Sequence, residues 1–167
     1  MRTSRHPRHR ATVRWLCLAA ALAAPAAAPG ATPAERSAQD VLLGRVNAAR
    51  ATHHLAPLRR SALLTRSARG QGGFVARTGR LQHESADGSP FSERLYRAGF
   101  SRRRAVGENL GIVGGCDPRA AGEIVRMWLR SAEHRRALLS RTYHVVGIGV
   151  VAAADCANTA FVADFGG

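Results

Sequence analysis

The sequence predicts an α+β fold, a three-layer α-β-α sandwich around a small antiparallel sheet. Three observations lead there. Apolar residues recur at helical spacing up to about residue 130. Strand-like segments cluster at the C-terminal end, which separates the pattern from alternating α/β. Finally, segment 143–151 is apolar at both parities of a strand, and a strand apolar on both faces is covered on both faces.

At 167 residues and 46% apolar content, the chain has room for one domain and a targeting segment. Two catalytic domains and wholly disordered behaviour are excluded. All 25 basic residues are arginine. Together with abundant alanine and glycine, this reads as nucleotide-composition bias rather than selection for guanidinium chemistry.

Residues 1–30 read as a secretory signal peptide. Arg2, Arg5, Arg8, Arg10 and Arg14 precede an apolar run over 15–28, and a small-residue stretch broken by Pro25 and Pro29 follows. Cleavage is expected within about 23–31, after Ala23 or Gly30. The run is too short and alanine-rich for a membrane span of about 20 strongly apolar residues; an uncleaved N-terminal anchor is the alternative. Loss of the five leader arginines lowers the formal charge from +14 to +9. It also leaves two cysteines, Cys116 and Cys156, expected in an oxidising, extracellular or periplasmic setting. They either pair with each other or stay as two buried thiols. Pairing closes a 40-residue loop, a constraint of about 4 kcal/mol in the chain-entropy treatment.

Residues 31–37 read as a linker, and the domain as 38–167. Leu42, Val46 and Ala49 give one apolar stripe to a helix over about 35–51. Leu64, Ala68, Gln71 and Val75 repeat the spacing over about 61–79. That second helix carries Gly70, Gly72 and Gly73, each costing about 1 kcal/mol relative to alanine. The cluster marks either a close backbone approach or a weak helix. Asp87-Gly88 marks a turn. Ser89 as N-cap, with Pro90 at the first helical position, opens a short helix over 91–98 that Gly99 ends. Arg102-Arg103-Arg104 reads as a solvated loop, and no regular element is assigned from there to residue 116. Asp117-Pro118 repeats the start signal for a helix to about residue 130, buried through Ala120, Ile124 and Trp128. Ser131 is placed as the cap of a further turn carrying Glu133 and His134. Strands follow over 143–151 and 158–165, joined by a hairpin loop.

Chemistry centres on the histidines. His53 and His54 fall at a helix end, where a cation is favoured, and His144 reads as a packed strand residue. His83 and His134 stand among polar and turn-forming residues, with Glu108 between them in Gly107-Glu108-Asn109. Two imidazoles and a carboxylate suffice as a first shell for zinc or another divalent cation with an open position. They would serve equally as a general acid–base set or a structural hydrogen-bond network. A place in the first turn of a helix would keep His134 neutral, as a metal ligand must be. No GxSxG elbow, phosphate-binding glycine loop, HExxH or CxxC occurs. With nine aromatic residues and scattered arginines, no nucleic-acid partner is expected. Acidic envelope polymers or anionic lipids suit a +9 surface better.

A larger pattern connects these fragments. In order come Val46-Asn47-Ala48-Ala49-Arg50, Pro57-Leu58, Leu63-Leu64, Ala68-Arg69 and His83, then Arg94-Leu95 with Ala98-Gly99-Phe100. Gly107-Glu108-Asn109, Trp128 with His134-Arg135, and Gly147-Ile148-Gly149 complete the series. Over about residues 38–166 the chain resembles the bacterial secreted branch of the CAP superfamily, which includes cysteine-rich secretory proteins, antigen 5 and plant pathogenesis-related proteins. The resemblance implies an α-β-α sandwich with a shallow cleft, the SCP domain. Members often carry two histidines and two glutamates there, sometimes holding zinc or another divalent ion, and His83, Glu108 and His134 match three of these four. Ser131 stands where the second glutamate is expected, and Ala137 where bacterial members usually have asparagine. The leading expectation is a secreted, monomeric, non-enzymatic module binding a cell-envelope lipid, glycan or protein through that cleft. A metal-dependent hydrolase and a metal-free interaction scaffold are the alternatives.

Overall fold

The computed structural model describes residues 30–167, so the expected leader lies outside the described residues apart from Gly30. No described helix is long and apolar enough to cross a membrane.

Among the described residues, five helices and four strands form the expected three layers. The first helix, α1 (Pro33–Thr52), begins inside the stretch read as a linker. The reason is local: Thr32 and Glu35 make a reciprocal capping box, and Pro33 occupies the first turn. Strand β1 (Arg59–Arg60) follows, then α2 (Ala62–Thr78), within one residue of expectation at each end. Helix α3 (Phe91–Arg97) starts without a side-chain cap. Ser89, read as its N-cap, bonds Asp87 and Arg97 instead.

Strand β2 (Val106–Gly114) had no counterpart in the sequence reading. A 3₁₀ turn (Pro118–Ala120) leads into α4 (Ala121–Arg130), which buries Ile124 and Trp128 as expected. Helix α5 (Ala132–Leu138) carries His134. Strands β3 (Val145–Ala152) and β4 (Asn158–Gly166) close the fold. His144 lies just before β3 and is exposed rather than packed. Arg102 is exposed but paired: both its terminal nitrogens donate to Glu93, at 2.6 and 2.7 Å.

The sheet order is β1-β3-β4-β2. The three long strands pair antiparallel, as expected, while β1 adds a two-residue parallel pair with β3. Alternation divides the side chains between two faces. Ile148, Val150, Phe161, Ala163 and Phe165 pack against α1 and α4 in the main core. Leu110 and Val162 meet Ala68 of α2 on the other face. Helix α2 lies so close to β3 that a side chain at Gly147 would overlap the Leu64 backbone, and one at Gly149 the Ala68 backbone. The required small residues are therefore mainly in the strand. Within the helix cluster, a β-carbon at Gly72 would crowd Val151 at 3.0 Å, while Gly70 faces open space.

Two polar side chains explain the Asn47…Arg50 pattern. Asn47 both donates to the Leu58 carbonyl and accepts from its N–H, at 3.1 and 2.8 Å. Arg50 is 2% exposed and donates to the carbonyls of Ala56, Leu138 and Ser140 at 2.9–3.0 Å. It thereby anchors the end of α5 to α1. Cys116 and Cys156 are joined, tying the end of β2 to the β3–β4 turn.

Candidate functional site

The candidate site forms where β2, at one edge of the sheet, meets the loop after α2, helix α3 and helix α5. Glu108 pairs in register with Asp164 on β4, which pairs in turn with Gly147 on β3. Both acids therefore lie on the α2 face. Asn109, one residue on, points to the opposite face, toward α5. Two adjacent residues on one strand thus reach the two sides of the site.

On the first side, the buried Glu108 carboxylate accepts from His83 Nδ1 through Oε1 at 2.9 Å. Its Oε2 accepts from Arg94 Nη2. The Arg94 side chain is only 12% exposed, against 0% for Glu108 and 50% for His83. Arg94 Nη1 also donates to Ser85 Oγ at 3.0 Å. The hydrogen bond to Glu108 raises the His83 pKa above its ordinary 6.5, against the effect of partial burial.

On the second side, Asn109 Nδ2 donates to the His134 carbonyl at 2.9 Å. The His134 Nδ1 atom is buried and has no hydrogen-bond partner among the described residues. Burial, followed by the proximity of His83, lowers its pKa below 6.5. His134 occupies the first turn of α5, as expected, although no Ser131 side-chain bond caps that turn. Its preference for the neutral state thus follows from desolvation rather than from a capped helix end.

Asp164 is 0% exposed and lies beside Ser67 and Glu108. Burial first, and the nearby Glu108 charge second, push its pKa well above the carboxylate range.

His83 and Glu108 are therefore in direct contact, with His134 close enough for the imidazoles to influence each other. Arg94, Asn109 and Asp164 were not assigned to the site from sequence. A lone acid between Ala163 and Phe165 in an apolar strand was the signal for Asp164. For Arg94 the sequence carries no such signal, since Arg102, Arg103 and Arg104 stand closer to Glu108 along the chain.

In this arrangement the residues do not fit a three-ligand divalent site. Both Glu108 oxygens are committed, one of them to a permanent cation. Among the described residues, no group of three His, Cys, Asp or Glu side chains is placed to share an ion. What the arrangement does offer is a half-exposed imidazole oriented by a buried carboxylate, beside a second imidazole that favours neutrality.

Comparison with solved structures supports the architecture. An outer surface protein from Borrelia burgdorferi aligns with a TM-score of 0.64 at 18% identity, over 78% of this chain and 92% of that one. An extracellular SCP-domain protein from Bacillus anthracis aligns at 0.66 and 20% identity, over 83% of this chain. A cysteine-rich secretory protein from Staphylococcus aureus aligns at 0.58 and 18%, over 79%. This chain spans 44% of the Bacillus chain and 39% of the Staphylococcus chain. Comparison with curated proteins finds no match. The model of the cysteine-rich secretory protein family matches residues 43–165, most of the domain that carries the sheet, the paired histidine and the buried acids. The chain belongs to the CAP family of cysteine-rich secretory proteins.

Proposed function

We propose that this CAP domain is an extracellular or envelope-facing recognition module whose cleft, around His83, Glu108 and His134, holds its ligand through hydrogen bonds without turning it over. The commitment of both Glu108 oxygens to His83 and Arg94 carries this reading. It removes the carboxylate that would otherwise act as a metal ligand or as a base on substrate. The two imidazole edges remain to recognise polar groups. A basic leader followed by an apolar run supports export, as do the extracellular proteins among the structural relatives. The arginine excess suits an acidic envelope partner.

Hydrolysis is the second reading. One observation favours it: His83 is half exposed and oriented through Nδ1 by a buried carboxylate, the arrangement of a general base.

Zinc titration and elemental analysis of the purified protein, with His83→Ala beside it, test both. The recognition reading expects no stoichiometric zinc at micromolar concentration, no turnover of ester or peptide probes, and retention on envelope fractions that falls as salt rises. Stoichiometric zinc or turnover that disappears in His83→Ala would overturn it in favour of the hydrolase.

A further inference from the structure

Strand β2 has a free edge, and register assigns each of its main-chain groups to one side. Gly107 pairs with Phe165 and Asn109 with Ala163. Just outside the strand ends, Gly167 N–H donates to the Ala105 carbonyl and Gly115 N–H to the Ala157 carbonyl, both at 2.9 Å. The odd-numbered residues therefore turn their N–H and C=O groups toward β4, while Val106, Glu108, Leu110 and Ile112 turn theirs away from it. Side chains occupy two of these outward carbonyls. Tyr143 Oη donates to Val106 at 3.0 Å, and Trp128 Nε1 to Leu110 at 2.7 Å. Glu108 lies midway between them, and no described side chain takes its N–H or its C=O.

This window on the edge is open to solvent. Glu108 as a whole is 7% exposed while its side chain is 0% exposed, so the part that water reaches is its main chain. The window also lies between the two imidazoles. The Glu108 carboxylate holds His83 on one face of β2, and Asn109 holds the His134 backbone on the other. Its surroundings are cationic. Arg103 just before β2, and Arg135 and Arg136 just after His134, are exposed and form no ion pair among the described residues.

We propose that the cleft recognises an extended acidic peptide, which crosses the β2 edge between His83 and His134 and exchanges two main-chain hydrogen bonds with Glu108. The inference rests on the reading of the cleft as a recognition site and names its ligand class. A main-chain donor and acceptor side by side on an edge strand match the C=O and N–H of one residue of an added antiparallel strand. A bare carboxylate would satisfy the N–H alone and leave the Glu108 carbonyl facing another acceptor. Tyr143 and Trp128 confine the pairing to this one residue, which keeps the edge from templating a longer sheet. Acidic side chains on the peptide meet the exposed arginines around the window.

The test is NMR titration of the purified protein with the pentapeptide acetyl-Glu-Val-Glu-Val-Glu-amide. The controls are the same peptide N-methylated at every residue, its lysine-for-glutamate counterpart, and a tetrasaccharide of N-acetylglucosamine, which carries amides without a peptide backbone. Near saturation the parent peptide should slow hydrogen exchange of the Glu108 amide at least about tenfold. The Asn109 amide, already turned toward β4, should not change. N-methylation leaves the Glu108 carbonyl without a donor and should weaken binding at least about tenfold. Charge reversal should weaken it by at least as much at low salt. Equal binding of the N-methylated or the lysine peptide, unchanged exchange at Glu108, or binding of the tetrasaccharide where the peptide fails would overturn the proposal. Every readout uses the wild-type chain, so none is confounded by a variant that fails to fold. If the peptide fails while the protein still holds to envelope fractions, the ligand class falls and the recognition reading stands. If the peptide is cleaved, the non-enzymatic reading falls instead, and the exchange rate at Glu108 still decides the peptide assignment.

Discussion

The two histidines of the cleft are held in opposite ways. His83 sits on a loop, half exposed, and its side chain is fixed by one buried carboxylate. His134 sits on a helix, its backbone is fixed by Asn109, and its buried Nδ1 has no hydrogen-bond partner among the described residues. Identical side chains in one cleft thus acquire opposite preferences, His83 for the proton and His134 against it. The difference shows that local polarity, set by which face of β2 each side answers to, decides the chemistry more than residue type does.

Removing the carboxylate should break this comparison most severely. Glu108→Ala leaves Arg94 mostly buried without its charge partner, and breaking such a pair from one side costs about 3–5 kcal/mol. Arg94→Ala should cost a similar amount. The double substitution should cost clearly less than the sum of the two, because the groups act as a unit. Urea unfolding of the three variants measures this. A loss under about 1 kcal/mol for Glu108→Ala, the range of exposed ion pairs, would mean that the pair is solvated and does not order the His83 side.

The parts legible in the sequence were those in which large apolar side chains set the period. The stripe Leu64, Ala68, Gln71 and Val75 located α2 within one residue at each end. The doubly apolar run before residue 152 located β3 and, with it, the layers. Strand β2 escaped because Gly107, Glu108, Asn109, Gly111 and Gly114 have little intrinsic strand preference. It is extended because β4 pairs with it along its whole length, and Trp128 caps the arrangement by donating to the Leu110 carbonyl at 2.7 Å. The site followed the same rule. His83, Glu108 and His134 could be picked out by type and by family pattern, and the structure places His83 in contact with Glu108. Arg94 could not, because its role depends on how α3 crosses β2. That crossing turns a helix-surface arginine into the counter-charge of a buried acid.

A smaller change should sharpen the comparison from the other side. Asn109→Ala removes the side-chain donor to the His134 carbonyl, which keeps its place in the α5 hydrogen-bond ladder, a loss of about 0.5–1.5 kcal/mol. It leaves the contacts of Glu108 in place, so the His83 signal in a two-dimensional NMR spectrum should barely move while the α5 amides shift. Shifts of equal size on both sides would show that β2 transmits strain between its faces, and the two halves would then have to be treated as one coupled unit.

The gentlest test alters no residue. Following both imidazoles by NMR against pH should give His83 a pKa above 6.5 and His134 one below it. The sign of the linkage follows. For His83, raised on folding, the favourable contribution is fully present below pH 6.5 and is lost as pH rises through the higher folded value. For His134, lowered on folding, the neutral ring is the form the fold accepts. Its unfavourable contribution therefore develops as pH falls below 6.5 and levels off below the folded value. The two contributions act on opposite sides of pH 6.5, so together they give a stability maximum near that pH, with His83 setting the alkaline flank and His134 the acid flank. The separate titrations assign each flank of that maximum to its own ring, and a reversed order would mean that Glu108 does not hold His83 in solution.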